Sequence, residues 1–152
     1  KRIVRGHLRV HDMARRMLEQ REHAQGEERS GNPSRRTIYR FFRDTREAGV
    51  DIILLSLADL RANYEHSLPE DLWKAELDVA RLLLENYWER PTETVKPPSY
   101  LDGPEVMEAF ELRPSPIVGK LLEAIREGQA IGEVAKKSDA LAFGKKWLKE
   151  NK

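Results

Sequence analysis

Apolar side chains recur along this chain at three- and four-residue intervals, a period that predicts helices and argues against a sheet. Residues 2–23 place Ile3, Val4, Leu8, Met13, Met17 and Leu18 near helical spacing among arginines. The polar stretch from Gln25 to Pro33 is rich in helix breakers and reads as a loop. Ser34 is positioned to cap a second helix, with Ile38, Phe41 and Phe42 inward and Arg35, Arg36, Arg40 and Arg43 largely outward, stopping near Gly49. From Val50 to His66 the chain is at its most apolar, through Ile52, Ile53, Leu54, Leu55, Leu57, Ala58 and Leu60. A helix apolar on most sides is expected to be a buried central one. After Leu68-Pro69 an amphipathic helix sets Leu72, Leu77, Ala80, Leu83, Leu84 and Trp88 on one side and ends before Pro91.

Prolines 91, 97 and 98 mark a linker over 92–98. Beyond it the pattern predicts helices near 103–110 and 115–130, and a basic one from Ser138 docked by Ala142, Trp147 and Leu148. The expected fold is all-α: an irregular helical bundle over 1–95 and a small helical tail over 96–152.

Composition narrows the class. The chain has 152 residues, 39% hydrophobic and 35% charged, which suits a well-solvated helical protein with room for one domain or two small subdomains. No apolar run nears the roughly 20 residues that span a bilayer. Nor does a secretory leader follow the basic start Lys1-Arg2. The absence of cysteine excludes disulfides, thiol nucleophiles and thiolate zinc sites, and fits a cytoplasmic protein. The start at Lys1 without methionine suggests a piece of something longer. Net charge is only +1, yet Lys and Arg crowd residues 1–46 and 136–152, a distribution that suits a nucleic-acid partner as well as it suits solvated helix faces.

Three groupings carry candidate chemistry. His7 and His11 stand one helical turn apart, where two imidazoles can share a metal, and Asp12 follows His11. The flanking residues look basic and solvated, so the His11-Asp12 pair reads as a chance dipeptide on an exposed face. Asp59 lies on the most apolar helix, where a carboxylate needs a partner; Arg40, Arg43 or Arg61 is the expected one. Arg35, Arg36, Arg40 and Arg43 offer forked donors suited to phosphate, with Tyr39 nearby as a stacking platform for a base. Pairing with the acids of 65–90 is the competing role for those arginines. Near the end, Pro116 fits a first helical position and Ser115 a cap; Arg113 and Lys120 flank that helix start as a phosphate cradle, and Gly119 permits a close approach. No Gly-Ser motif followed by paired carboxylates, no phosphate-binding Gly-rich loop and no nucleophile elbow is present.

The segment Leu101-Asp102-Gly103, continued by Pro114-Ser115-Pro116 and Gly119, closely resembles the end of the tRNA nucleotidyltransferase (CCA-adding) and poly(A) polymerase family. The run from Ser34 through Leu57-Ala58-Asp59 to Ala62 is similar to the latter half of that family's HD domain. The likeness is extended over 34–66 and 100–150, and across 66–98 rests on helical character alone. It implies that Asp59 matches the last aspartate of an HD metal set, and that His7 belongs to a histidine-bearing segment upstream. The remaining ligands would precede Lys1, so His7 and Asp59 are vestigial metal positions. The implied function is a non-catalytic carboxy-terminal part that holds tRNA, or another structured RNA, for 3′-end addition. The missing amino-terminal catalytic head, with its Mg²⁺, would be its partner. This part has no cofactor of its own unless the HD site is complete. Two alternatives stand beside it: an HD-family metal-dependent phosphohydrolase acting through His7, His11, Asp12 and Asp59, and a helical interaction module that forms a homo-oligomer.

Overall fold

A computed structural model describes residues 2–23 and 31–151. The side chains of Ile3 and Val4, and most of the loop expected from Gln25, lie outside that description. Seven α-helices and no strand occur among the described residues: α1 (Arg2–His23), α2 (Arg35–Thr45), α3 (Gly49–Tyr64), α4 (Glu70–Glu89), α5 (Gly103–Ala109), α6 (Pro116–Ile131) and α7 (Lys137–Glu150). The fold is all-α, as the periodicity predicts. None of these helices is long and apolar enough to cross a membrane. The helices pack as two compact units, Lys1–Arg90 and Pro91–Lys152.

In the first unit α1 packs along both α3 and α4, and α2 joins α1 and α3. The core takes Val10, Met13, Ala14 and Met17 from α1, Ile38, Phe41 and Phe42 from α2, Ile52, Ile53 and Leu60 from α3, and Val79 and Leu83 from α4. Ser34 caps α2 as its sequence position predicts, its hydroxyl accepting the Thr37 N–H at 3.2 Å. Helix α2 ends at Arg46, whose positive φ of 55° breaks it, and a 3₁₀ turn, Arg46–Ala48, leads into α3. The expectation that α3 is buried on most sides holds for one flank. Leu54 is 54% exposed and Leu55 37%, because α1, α2 and α4 all lie toward the face carrying Ile52, Ile53, Ser56 and Leu60.

The second unit opens with a π-helical turn, Pro91–Val95, where a plain linker was expected, with Thr94 buried. Helix α5 has a reciprocal cap: the Glu105 N–H donates to Asp102 Oδ1 at 2.8 Å, and the Asp102 N–H donates to Glu105 Oε2 at 2.9 Å. Helix α6 packs against α5 and α7 around Leu101, Val106, Val118, Leu121, Ile125, Val134, Ala140 and Leu148. The Gln129 amide donates to the Pro98 carbonyl and so ties the segment before α5 to α6.

Candidate metal centre and nucleic-acid interface

Helix α1 buries a stripe through Gly6, Val10, Met13, Ala14 and Met17, and His7 and His11 stand along its edge. Four residues apart, their rings lie one above the other, with centroids 5.7 Å apart and planes at 84°. Helix α3 brings Asp59 between them. Its Oδ2 is 3.8 Å from His7 Nε2 and 3.3 Å from His11 Nε2. One donor atom from each of the three lies within 4.8 Å of the other two. Asn63, one turn on, donates to the same Oδ2 at 2.9 Å and fixes that carboxylate. Behind His11, helix α4 supplies Glu76, wholly buried, with Oε1 2.9 Å from His11 Nδ1. That approach lacks the alignment of a hydrogen bond, so both Glu76 oxygens and His7 Nδ1 are buried without a hydrogen-bond partner.

This geometry corrects two sequence expectations. His11 does not sit on a solvated face: its side chain is 13% exposed, because α3 and α4 both pack on α1 at this level. Asp12, next to it, is exposed and outside the cluster. Asp59 turns to the histidines of α1 rather than to an arginine. Arg43 instead pairs with its neighbour Asp44 at 2.7 Å, and Arg61 lies over the Trp73 ring, 5.4 Å from its centroid. Glu76, expected only among the acids of 65–90 available to the arginines, is instead buried behind His11. Its signal was nevertheless present, since position 76 falls in phase with Leu72, Val79 and Leu83 on the buried stripe of α4.

On α2 the side chains of Arg35, Arg36 and Arg40 are exposed, and Arg43 is partly so. Asp44 sits beside Arg43 and Arg9, the latter at 3.1 Å. Partial burial alone would raise the Asp44 carboxyl, but hydrogen bonds and charge from Arg43 and Arg9 outweigh it and hold the group below its ordinary value. Tyr39 is not a stacking platform. It is 4% exposed and belongs to the core with Ile38, Phe41 and Phe42, so no base can reach its face.

In the second unit Arg113 and Lys120 are both exposed about the start of α6, as the turn before Pro116 predicts. Ser115 occupies the cap position but its hydroxyl caps nothing; Pro116 has no N–H to offer, and the Val118 N–H donates to the Ser115 carbonyl at 3.1 Å. Gly119 has nothing within 4 Å of where a side chain would begin; the helix-to-helix approach expected there occurs at Gly144, against Phe110. Alongside, Phe110, Leu112, Leu141 and Leu148 floor an open groove that Lys145 and Lys149 border.

The fold and these sites describe an all-α protein with a His–Asp–His cluster in its first unit and an exposed basic helix start in its second. Over 111 residues it is 36% identical to the A-adding tRNA nucleotidyltransferase of Deinococcus radiodurans, a match that covers 73% of this chain and 25% of that protein. Over 113 residues it is 30% identical to the CC-adding tRNA nucleotidyltransferase of Thermus thermophilus, covering 74% of this chain and 24% of that one. No protein-family profile and no solved structure matches it. The chain is a tRNA nucleotidyltransferase-related protein, and it spans about a quarter of the length of the curated relatives it matches.

Proposed function

We propose that this chain is the carboxy-terminal helical part of a tRNA nucleotidyltransferase-type protein and that it holds tRNA while a separate head adds nucleotides to the 3′ end. The observation that carries this reading is the pair of relatives, whose names specify A and CC addition to tRNA and which align with nearly three quarters of the chain. Its first unit corresponds on this reading to the latter part of an HD-type domain, and its second to the tRNA-gripping tail. Nucleotidyl transfer, with its Mg²⁺, belongs to the head, because no Gly-Ser motif followed by paired carboxylates occurs in these 152 residues.

The electrostatics of the second unit support the same role. Arg113 and Lys120 stand exposed about the start of α6, and phosphate is the ligand that two such cations beside a helix start accept. Arg35, Arg36, Arg40 and Arg43 provide a second basic face on the first unit. The test is binding of the full chain to tRNA, followed by fluorescence anisotropy over a salt series. Affinity should fall steeply with salt. Arg113→Glu combined with Lys120→Glu should weaken binding and flatten the log–log salt slope by about two, roughly one per lost phosphate contact. Absence of binding at low salt, or an unaltered slope in the double variant, would sink the reading.

A further inference from the structure

We propose that the outer face of α4, together with Leu57 of α3, is a contact between two copies of this chain, which pair through antiparallel α4 helices about a two-fold axis. The face lies wholly within the first unit and shares no residue with the basic surfaces assigned to tRNA, so the inference is independent of tRNA binding.

Helix α4 buries Ala75, Val79, Leu83 and Asn86 against the bundle, yet its opposite side is not simply polar. Leu77, Arg81, Leu84 and Trp88 recur there at alternating four- and three-residue steps, the spacing of a helix-to-helix seam. Leu77 is 39% exposed and Trp88 62%, and Leu57 and Leu84 continue their apolar surface into an open groove. The Trp88 ring is held in place, since it meets the Tyr87 ring edge to face with centroids 5.7 Å apart. An oriented, exposed tryptophan among leucines is the composition of a protein contact. Glu85 and Glu89 line the same groove beside it, and their carboxylates repel phosphate, which argues against nucleic acid as the occupant.

The order of charges along the seam names a second copy as that occupant. An antiparallel pair centred between Leu82 and Leu83 sets position 77 opposite 88 and position 81 opposite 84. Leu77 then packs on Trp88 of the second copy, and the aliphatic stem of Arg81 covers its Leu84. Leu77 and Trp88 are about 16 Å apart along the axis of α4, so the pair has an apolar anchor at each end. One position on, the Arg81 guanidinium reaches Glu85 of the second copy. Lys74 stands beside its Glu89, at the negative end of that helix. The two-fold axis makes each of these contacts twice. Within one chain Arg81 and Lys74 already pair with exposed carboxylates, Glu85 and Glu70, each at 2.6 Å, so the contact shares existing charges and buries none unpaired. A parallel two-fold pair would set Arg81 against Arg81 and Glu85 against Glu85, which like-charge repulsion disfavours.

Sedimentation equilibrium of the full chain from about 1 µM to about 1 mM tests the contact, a range that brackets micromolar association. The parent should pass from monomer to dimer. Trp88→Ala changes an exposed position, so it should keep the helical circular dichroism while weakening dimerisation by about 30-fold or more. Arg81→Glu and Glu85→Arg each place like charges opposite one another across the axis, and each variant alone should stay monomeric. Mixed in equal amounts, the two should return to the mass of a dimer, because each chain supplies the charge that the other lacks. A parent that stays monomeric throughout would leave the face to another occupant and overturn the proposal. Dimerisation as strong as the parent's in Trp88→Ala or in either charge variant would place the contact elsewhere and overturn it too. Two monomeric charge variants whose mixture forms no dimer would refute the antiparallel pairing.

Discussion

Ile52 occupies the space that a side chain on Gly6 would need: a Cβ built on Gly6 lies 2.5 Å from Ile52 Cδ1 and 3.1 Å from both Cγ atoms. The close approach of α1 to α3 at this level depends on that missing methyl, and His7 follows Gly6 directly. Gly6→Ala gains about 1 kcal/mol of helix propensity. Against that, Ile52 is fully buried, and forcing it aside costs about 1–3 kcal/mol. The expected result is a net loss of stability in urea unfolding, accompanied by a wider separation of His7 from Asp59. An alanine variant as stable as the parent would show that Ile52 has a second rotamer to move into.

Tyr39 separates packing from recognition. Its neighbours on α2 are core residues and it is nearly inaccessible, so Tyr39→Ala should destabilise the first unit by about 3–5 kcal/mol, as loss of a large buried ring does. Tyr39→Phe keeps the ring and should leave tRNA affinity unchanged. A marked drop in affinity for the folded Phe variant would restore a direct role in RNA contact.

The reason Tyr39 was misplaced is local. Residues 38, 41, 42 and 45 define the buried arc of α2, and 39 lies at its edge, where a helical wheel shares it between core and solvent. Helix starts were legible because they depend on neighbours: Ser34 before α2 and Pro116 opening α6 both act within one turn. The two histidines of the cluster were legible as an i, i+4 pair for the same reason. Asp59 was joined to them only by the family resemblance, and Glu76 not at all. Asp59 is 48 residues from His11, and Glu76 comes from a further helix, so only the packing of α1 on α3 and α4 brings them together. The exposure of Leu54 and Leu55 was hidden similarly, since apolar character does not tell how many helices are present to cover it.

Gly144 meets the Phe110 ring in the second unit, where a Cβ would lie 2.6 Å from Cζ. Gly144→Ala should therefore push Phe110 toward the groove it borders with Leu112 and Leu141, at a cost of about 1–3 kcal/mol. Urea unfolding of the variant should show that loss. An alanine variant as stable as the parent would show that Phe110 moves aside without cost.

The pair formed by Glu105 and Lys137 gives the second unit a defined response to acid. The Lys137 ammonium hydrogen-bonds the Glu105 carboxylate, and with the Asp102 N–H it holds that carboxyl below its ordinary value of 4.5. A lowered folded value means stabilisation that is present above the ordinary value and is lost as pH falls through the folded one. Lys137 is raised by the same hydrogen bond, so its share is complete below 10.5 and disappears only in strong base. Both groups are solvent-exposed, which makes the effect small and sensitive to salt. Glu105→Gln isolates the charge, because a glutamine at this position still accepts the Asp102 N–H and keeps the reciprocal cap. At neutral pH and low salt the parent should melt above the variant. Lowering the pH from about 7 through the lowered folded value should bring the two together, since protonated Glu105 and Gln are then alike. Asp44 titrates in the same acid range, but it is common to both proteins and cancels in the difference. A difference in melting temperature that stays constant across that range would show that Glu105 acts through its cap alone, with Lys137 contributing nothing.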